Sequence, residues 1–364
     1  MNNFIKYIAN IATNNNDDKN IILNTKVDDD LLYLIKYHQL SPYLHYFKKS
    51  ITKNVTTINE QILLKCQEQY FQNICKNLLY INFLKQSSPP PFVLVKGLVS
   101  SKLLYSDEGL RTFNDLDIFI KQKDYADWMM FLTDYDFTRY GNVSDNFPDK
   151  IIKKYNFAQH FINKENNIAI DLHTNISNKM HPFQFDIAQF FTNTYNIEIN
   201  GLQVSTFTSE YMIIYLLYHT FKHYYFKILW FVDLHKAFKI LGYNDHELHK
   251  LILKYNLTSI FDYYLTISKD LFGNHSISPD SILLKKYKNR TNKYINESQV
   301  ISGEYSSENS LNRLLLPMYF IPKLKLKGKY LFNQFFPPAE ILPEYYEDNF
   351  RYLKNRINRI RRLL

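Results

Sequence analysis

Asp115 and Asp117 open the run Asp-Leu-Asp-Ile-Phe-Ile (115–120), with the spacing at which a strand turns both carboxylates to one face while Leu116 packs the other way. Two carboxylates on one face make a seat for a hard divalent cation, because Mg²⁺ takes oxygen ligands and is commonly held by one or two carboxylates plus substrate phosphates. A third carboxylate, Asp171, ends the strand-like run Ile-Ala-Ile-Asp (168–171). Brought alongside by an adjacent strand, it would complete a site where two ions clamp the attacking and leaving oxygens of an in-line displacement. Upstream, Lys96 and Gly97 stand where the apolar run Phe-Val-Leu-Val (92–95) gives way to a helical pattern. Glycine there lets the backbone approach a phosphate, and the helix N-terminus beyond it offers free N–H groups. Ser100 and Ser101 add hydroxyl donors, while Lys96 and Arg111 add positive charge, Arg111 with the planar fork that suits phosphate oxygens. The set reads as a seat for a metal-bound nucleoside triphosphate.

Each of these features alone is common, and the chain carries a second Asp-x-Asp pair, Asp134 and Asp136, that reads as solvated loop. Meaning comes from the joint placement at strand ends around a predicted helix. His219 and His223 have the helical spacing of metal ligands but lack a third ligand in the expected pattern, so they read as partly buried helical residues. Asp233 and His235, in the next helical segment, read as packing residues or as lining of the cleft. His173, two positions past Asp171, either supports the carboxylates or caps a turn. The Tyr and Phe residues interleaved with lysines over 211–230 have helical spacing and read as core.

The elements that must position this set follow from periodicity. Residues 1–88 read as a helical N-terminal region, with apolar positions recurring at three and four, and the Ser-Ser-Pro-Pro-Pro run (87–91) ends it. Residues 89–205 read as a mixed α/β core: a strand over 92–96, a helix near 98–105, a strand over 116–120 and a helix over 123–134. A hairpin then turns at Lys164-Glu165-Asn166-Asn167 and ends on Asp171 and His173. Residues 206–364 return to helical periodicity and finish in a basic tail, Arg351 to Arg362, which suits a polyanionic partner or is a solvated helix.

Composition excludes several classes. With 46% hydrophobic and 16% aromatic residues in 364, the chain holds far too much apolar material to be disordered. The formal net charge of +9 is compatible with nucleotides or nucleic acid as partners. Cys66 and Cys75 fall on different faces of one probable helix, so no mutual disulfide is expected and a reducing compartment fits. The N-terminus lacks the apolar core of a signal peptide, and the most apolar window, 211–232, is broken by His219, Lys222, His223 and Lys227. A cytoplasmic protein with no membrane partner is the expectation.

These residues also carry a resemblance. FVLVKGLVSSKLLYSDEGLRTFNDLDIFIKQKDYADWMMFLTDYDF (92–137) is similar to the signature of an uncharacterised bacterial nucleotidyltransferase family: apolar strand, Lys-Gly, helix, Tyr, Leu-Arg, then Asp-x-Asp and a second apolar strand. AIDLHTNIS (169–177) and YLLYHTFKHYYFKILWFVDLHKAF (215–238) resemble later pieces of that family, and FFPPAEILPEYY (335–346) is a fainter echo. The resemblance implies an α+β fold with a polymerase beta-like nucleotidyltransferase core, a small mixed sheet flanked by helices, between helical N-terminal and C-terminal regions. It implies an enzyme that binds a nucleoside triphosphate such as ATP with Mg²⁺ (or Mn²⁺) and passes the nucleoside monophosphate to a hydroxyl, releasing pyrophosphate. Asp115, Asp117 and Asp171 would hold the metals, Asp171 would help deprotonate the acceptor, and Lys96, Gly97, Ser100, Ser101 and Arg111 would hold the nucleotide. The wider superfamily has Gly-Ser after the first strand where this chain has Lys-Gly-Leu-Val-Ser-Ser, so its phosphate grip must differ. The acceptor (small molecule, peptide, protein or RNA) and the oligomeric state are not legible. Two other readings stay open: a non-catalytic nucleotide-binding or accessory protein, and a toxin-like enzyme that modifies tRNA.

Overall fold

The computed structural model describes residues 2–14, 23–46, 55–58, 60–141, 148–223, 227–273 and 317–336, with short pieces at 277, 281–283, 297–302, 338 and 340. The basic tail from Arg351 to Arg362, and most of FFPPAEILPEYY, lie outside the described residues.

The N-terminal part holds α1 (Asn2–Asn14), β1 (Leu23–Val27), α2 (Asp29–Tyr37), α3 (Ser41–Tyr46), β2 (Val55–Ile58) and the long α4 (Glu60–Ser87). It departs from the all-helical expectation in one respect: β1 and β2, both containing β-branched residues, pair in parallel. The middle of the chain forms β3 (Val93–Val95), α5 (Gly97–Leu104), β4 (Leu116–Phe119), α6 (Tyr125–Asp134), β5 (Thr138–Arg139), α7 (Asp149–Tyr155), β6 (Gln159–Asn163), β7 (Ile168–His173), α8 (Ile187–Thr192), β8 (Thr194–Ile199) and β9 (Leu202–Phe207). Helices α9 (Ser209–Lys222), α10 (Ile228–Ile240), α11 (Asp245–Lys254), α12 (Thr258–Phe272), α13 (Glu297–Ser302) and α14 (Leu324–Phe335) follow.

Seven strands make one mixed sheet in the order β5-β6-β7-β4-β3-β9-β8. The β6–β7 hairpin turns at residues 164–167, where the Lys-Glu-Asn-Asn signal puts it. A further hairpin, β8–β9, turns on Asn200 and Gly201, both at positive φ (48° and 77°), as a tight hairpin between right-twisted strands requires. The sheet is flanked by helices, an α+β architecture. Trp128 on α6 is fully buried, with its ring edge-on to Phe92 and its indole N–H donating to the Pro91 carbonyl. One continuous hydrophobic cluster runs from Phe4 on α1 through the sheet to Tyr330 on α14. Asp134 and Asp136 are exposed, and Cys66 and Cys75 are both free thiols. Among the described residues no helix is long and apolar enough to cross a membrane.

Candidate active site

Sheet order assembles the site. In the parallel β4–β7 pair, Asp117 and Asp171 are direct Cα partners, so their carboxylates emerge side by side on one face. Across the antiparallel hairpin, His160 is the Cα partner of Asp171, and on the other side Val95 is the partner of Asp117, which sets Lys96 at the adjoining strand end. The row Lys96, Asp117, Asp171, His160 thus crosses β3, β4, β7 and β6. Asp115 lies one residue before β4, at its mouth. Lys96, Gly97, Arg111, Asp115, Asp117 and Asp171 all line one cavity of about 360 Å³. Its far wall is helical and comes from α9 and α10: Tyr215, Tyr218, His219, Lys222, His223 and Trp230.

The loop into Asp115 is held from two sides. Gly97 has φ +35°, and a Cβ there would meet Phe113 Cδ2 at 3.2 Å and the Asp115 carbonyl at 3.4 Å, so only glycine lets the loop pack so close to the start of α5. Lys96 also has positive φ (48°), an uncommon conformation for a residue with a side chain. From the opposite side, one face of α4 grips the loop by hydrogen bonds. Asn73 Nδ2 donates to the Gly109 carbonyl (2.8 Å) and Thr112 Oγ1, Asn77 Nδ2 to the Glu108 carbonyl, Lys76 Nζ to the Phe113 carbonyl, and Tyr80 O–H to the Asn114 carbonyl (2.7 Å). Asn73 and Asn77 are buried.

Charge is concentrated on the sheet. Lys96 Nζ lies 2.7 Å from Asp117 Oδ1, and also 3.3 Å from His219 Nδ1, to which it donates. His160 Nδ1 is 2.5 Å from Asp171 Oδ1. His173 stacks on Phe119 and brings Nε2 to 3.5 Å from Asp117 Oδ1, without forming a hydrogen bond. Burial pushes the Asp115 carboxyl well above the ordinary carboxylate range, and the negative charges of Asp117 and Asp171 push it further. Burial acts the same way on Asp117, but the Lys96 ammonium 2.7 Å away holds that carboxyl low. Three carboxylates repelling one another in a buried site are the electrostatic demand that a cation meets.

Asp117, Asp171 and His173 each offer a ligand atom, all within 4.8 Å of one another. His173 Nε2 is buried without a hydrogen-bond partner, and burial keeps the imidazole neutral, the form that ligates. The donor set therefore fits a divalent metal ion. Asp115 is not in that group, so the candidate ligands pair the β4 carboxylate with β7 rather than with its Asp-x-Asp partner.

Two expectations meet a different geometry. Ser100 and Ser101 do not line the cavity: α5 turns them into the core, where Ser101 Oγ donates to the Glu108 carbonyl. Arg111 lines the cavity, but its fork is taken. Nε and Nη2 donate to the two carboxylate oxygens of Asp233 at 3.0 and 2.7 Å, leaving Nη1 alone without a partner. Asp233 on α10, which also accepts from Tyr105 O–H at 2.5 Å, is thus a packing residue that clamps the site to the helical wall. His219 and His223 do reach the cavity, as wall rather than as a metal cluster.

His219 and His223 of the helical wall, and His181 packed against it, carry a pH dependence. Burial, then the Lys222 charge, lowers His181 to about 3, its ring being walled by Phe183, Tyr218 and Phe221 although its edge is partly exposed. Burial also lowers His219 and His223 well below the usual range. A histidine held neutral in the fold is protonated more readily when unfolded, so between about pH 6.5 and 3 the unfolded chain binds the extra protons and stability falls as pH falls. The shift of His181 is expected to cost about 2 kcal/mol by pH 5. Thermal unfolding at pH 7.5 and pH 5 should show a lower Tm at pH 5, and His181→Phe should remove part of that drop.

A search of curated proteins and one of solved structures returned no match. The model of a family described as uncharacterised nucleotidyltransferase matches residues 25–273, a span that takes in every residue named here as lining the cavity. Lys-Gly at the end of β3, the carboxylates of β4 and β7, and the cavity they share all lie inside that match, and the chain belongs to this nucleotidyltransferase family.

Proposed function

We propose that the protein transfers a nucleoside monophosphate from a nucleoside triphosphate to a hydroxyl of an acceptor, with Mg²⁺ or Mn²⁺ held by Asp117 and Asp171, supported by Asp115 and His173. The observation that carries this reading is the Asp117–Asp171 register across β4 and β7, facing Lys96 in one cavity. When bound, the divalent ion would neutralise phosphate oxygens and favour the developing negative charge. The chain's own residues do the rest. Lys96, paired with Asp117 at 2.7 Å, stands at the same cavity and would give its ammonium to the phosphates, and Arg111 Nη1 would add a fixed donor. The acceptor oxygen forms a bond to the α-phosphorus while the bond from that phosphorus to the pyrophosphate oxygen breaks, its electrons leaving with pyrophosphate. The hydroxyl proton passes to the Asp171 carboxylate, which His160 orients. Trp230, edge-on to His219 in the helical wall, offers the nucleobase an aromatic surface.

Calorimetric titration with a non-hydrolysable nucleoside triphosphate, with and without Mn²⁺, tests this reading. Tight binding should require the ion, and Lys96→Ala should weaken it at least about tenfold. Binding that ignores both the ion and Lys96 would count against it.

A further inference from the structure

Resting on that reading, we propose that a small side cavity beyond Asp171 is the acceptor subsite, and that it takes a neutral, polyhydroxylated molecule the size of a monosaccharide or short polyol. An in-line displacement puts the attacking oxygen and the leaving pyrophosphate on opposite sides of the α-phosphorus. Lys96, a cation that suits pyrophosphate, stands at the end of β3, and the row of strands runs from there through β4 and β7 to β6. The attacking hydroxyl must then arrive from the β7–β6 flank.

A cavity of about 140 Å³ opens on that flank, room for several waters and so for one sugar ring. It joins the main cavity through residues common to both, among them Ala158, His160 and His173. A ligand there therefore lies beside Asp171, whose carboxylate contacts His160. The lining names its chemistry. Asn156, Asn175 and Asn178 present amides, all three half-buried. The Oδ1 atoms of Asn175 and Asn178 already accept backbone N–H groups, from Ile176 and from Met180 and His181, so their N–H donors are left for a ligand. Amide donors suit hydroxyl oxygens. No carboxylate is part of the cavity lining itself, so an ammonium group held by the three asparagines would lack a direct counter-charge. Its lysine, Lys222, is pushed toward the neutral form first by burial and then by the Lys96 charge, against the weaker pull of Asp117 and Asp171, which lowers its demand for an anion. In the reaction the acceptor oxygen bonds the α-phosphorus, the bond to pyrophosphate breaks, and the proton goes to Asp171.

Saturation-transfer NMR on the full chain without nucleotide, using free ribose, glucose and glycerol as probes, tests the subsite apart from the transfer reaction. At least one probe should bind wild type, and Asn175→Phe, which fills the cavity, should weaken it by about tenfold or more. Asn175→Ala should weaken it less, and serves if the larger side chain disturbs folding. A non-hydrolysable nucleoside triphosphate should bind both variants as it binds wild type. Failure of every probe to bind, or wild-type binding in both variants, overturns the subsite; glucosamine binding where glucose does not overturns its assigned chemistry. Failure of nucleotide to bind wild type instead overturns the transfer reading and leaves the sugar result standing.

Discussion

Asp117→Asn should lower nucleotidyl transfer by at least about 10³-fold while leaving the fold in place. Asparagine keeps the shape of the side chain but removes the charge that Lys96 pairs with at 2.7 Å and that completes the ligand set with Asp171 and His173. The loss should appear in kcat more than in nucleotide KM, because the missing charge acts on the reacting phosphate rather than on the base or sugar. Asp115→Asn should cost less, since Asp115 sits at the strand mouth outside the ligand cluster and burial already drives its carboxyl toward the neutral form. Initial-rate kinetics on both variants, with circular dichroism to check folding, measure the difference. Equal losses would mean that the Asp-x-Asp pair, and not the β4–β7 pair, is the working unit.

Asp233→Ala should destabilise the protein by about 3–5 kcal/mol, the cost of leaving one half of a buried ion pair unpaired. Asp233 and Arg111 are each almost fully buried, and Asp233 takes both Nε and Nη2 of the guanidinium as well as the Tyr105 hydroxyl. Tyr105→Phe, which removes one hydrogen bond and leaves the charges paired, should cost only about 1–2 kcal/mol. Denaturant unfolding of the two variants gives the comparison directly. Because the same carboxylate fixes Arg111 at the cavity edge, Asp233→Ala should also weaken nucleotide binding, whereas Tyr105→Phe should not. A mild loss in Asp233→Ala would show that water reaches Arg111 once the partner is gone.

The core of the site was legible because it depends on local pattern. The passage from an apolar run into Lys96-Gly97, the alternation in Leu-Asp-Ile-Phe and the turn at 164–167 each encode one element, and each forms close to its expected place. What sequence could not show depends on sheet order and long-range contact. Asp171 meets Asp117 only because β7 lies beside β4, and nothing local to either run encodes that neighbour. His160 gave no signal of its own, since its role comes from standing opposite Asp171 in a hairpin whose register was unknown. Asn73, Asn77 and Tyr80 on α4 look like the ordinary polar face of a surface helix; their work is on a loop more than thirty residues away. The fork of Arg111 seemed free for phosphate because its partner, Asp233, is 122 residues downstream. Asn200-Gly201 between two β-rich runs is a local signal that marks the β8–β9 hairpin. Ser100 and Ser101 point to the opposite error, since helical phase after Gly97 carries them into the core.

The α-phosphate, not the γ-phosphate, should be the group that moves. Parallel incubations of the full chain with nucleoside triphosphate labelled at the α or the γ position, Mn²⁺ and an acceptor-containing cell extract test it most directly, with Asp117→Asn as the control. Label from the α position should enter product with wild type and not with Asp117→Asn, while the γ label is recovered as pyrophosphate. Transfer of the γ label into product, or equal α-label transfer by Asp117→Asn, would contradict it.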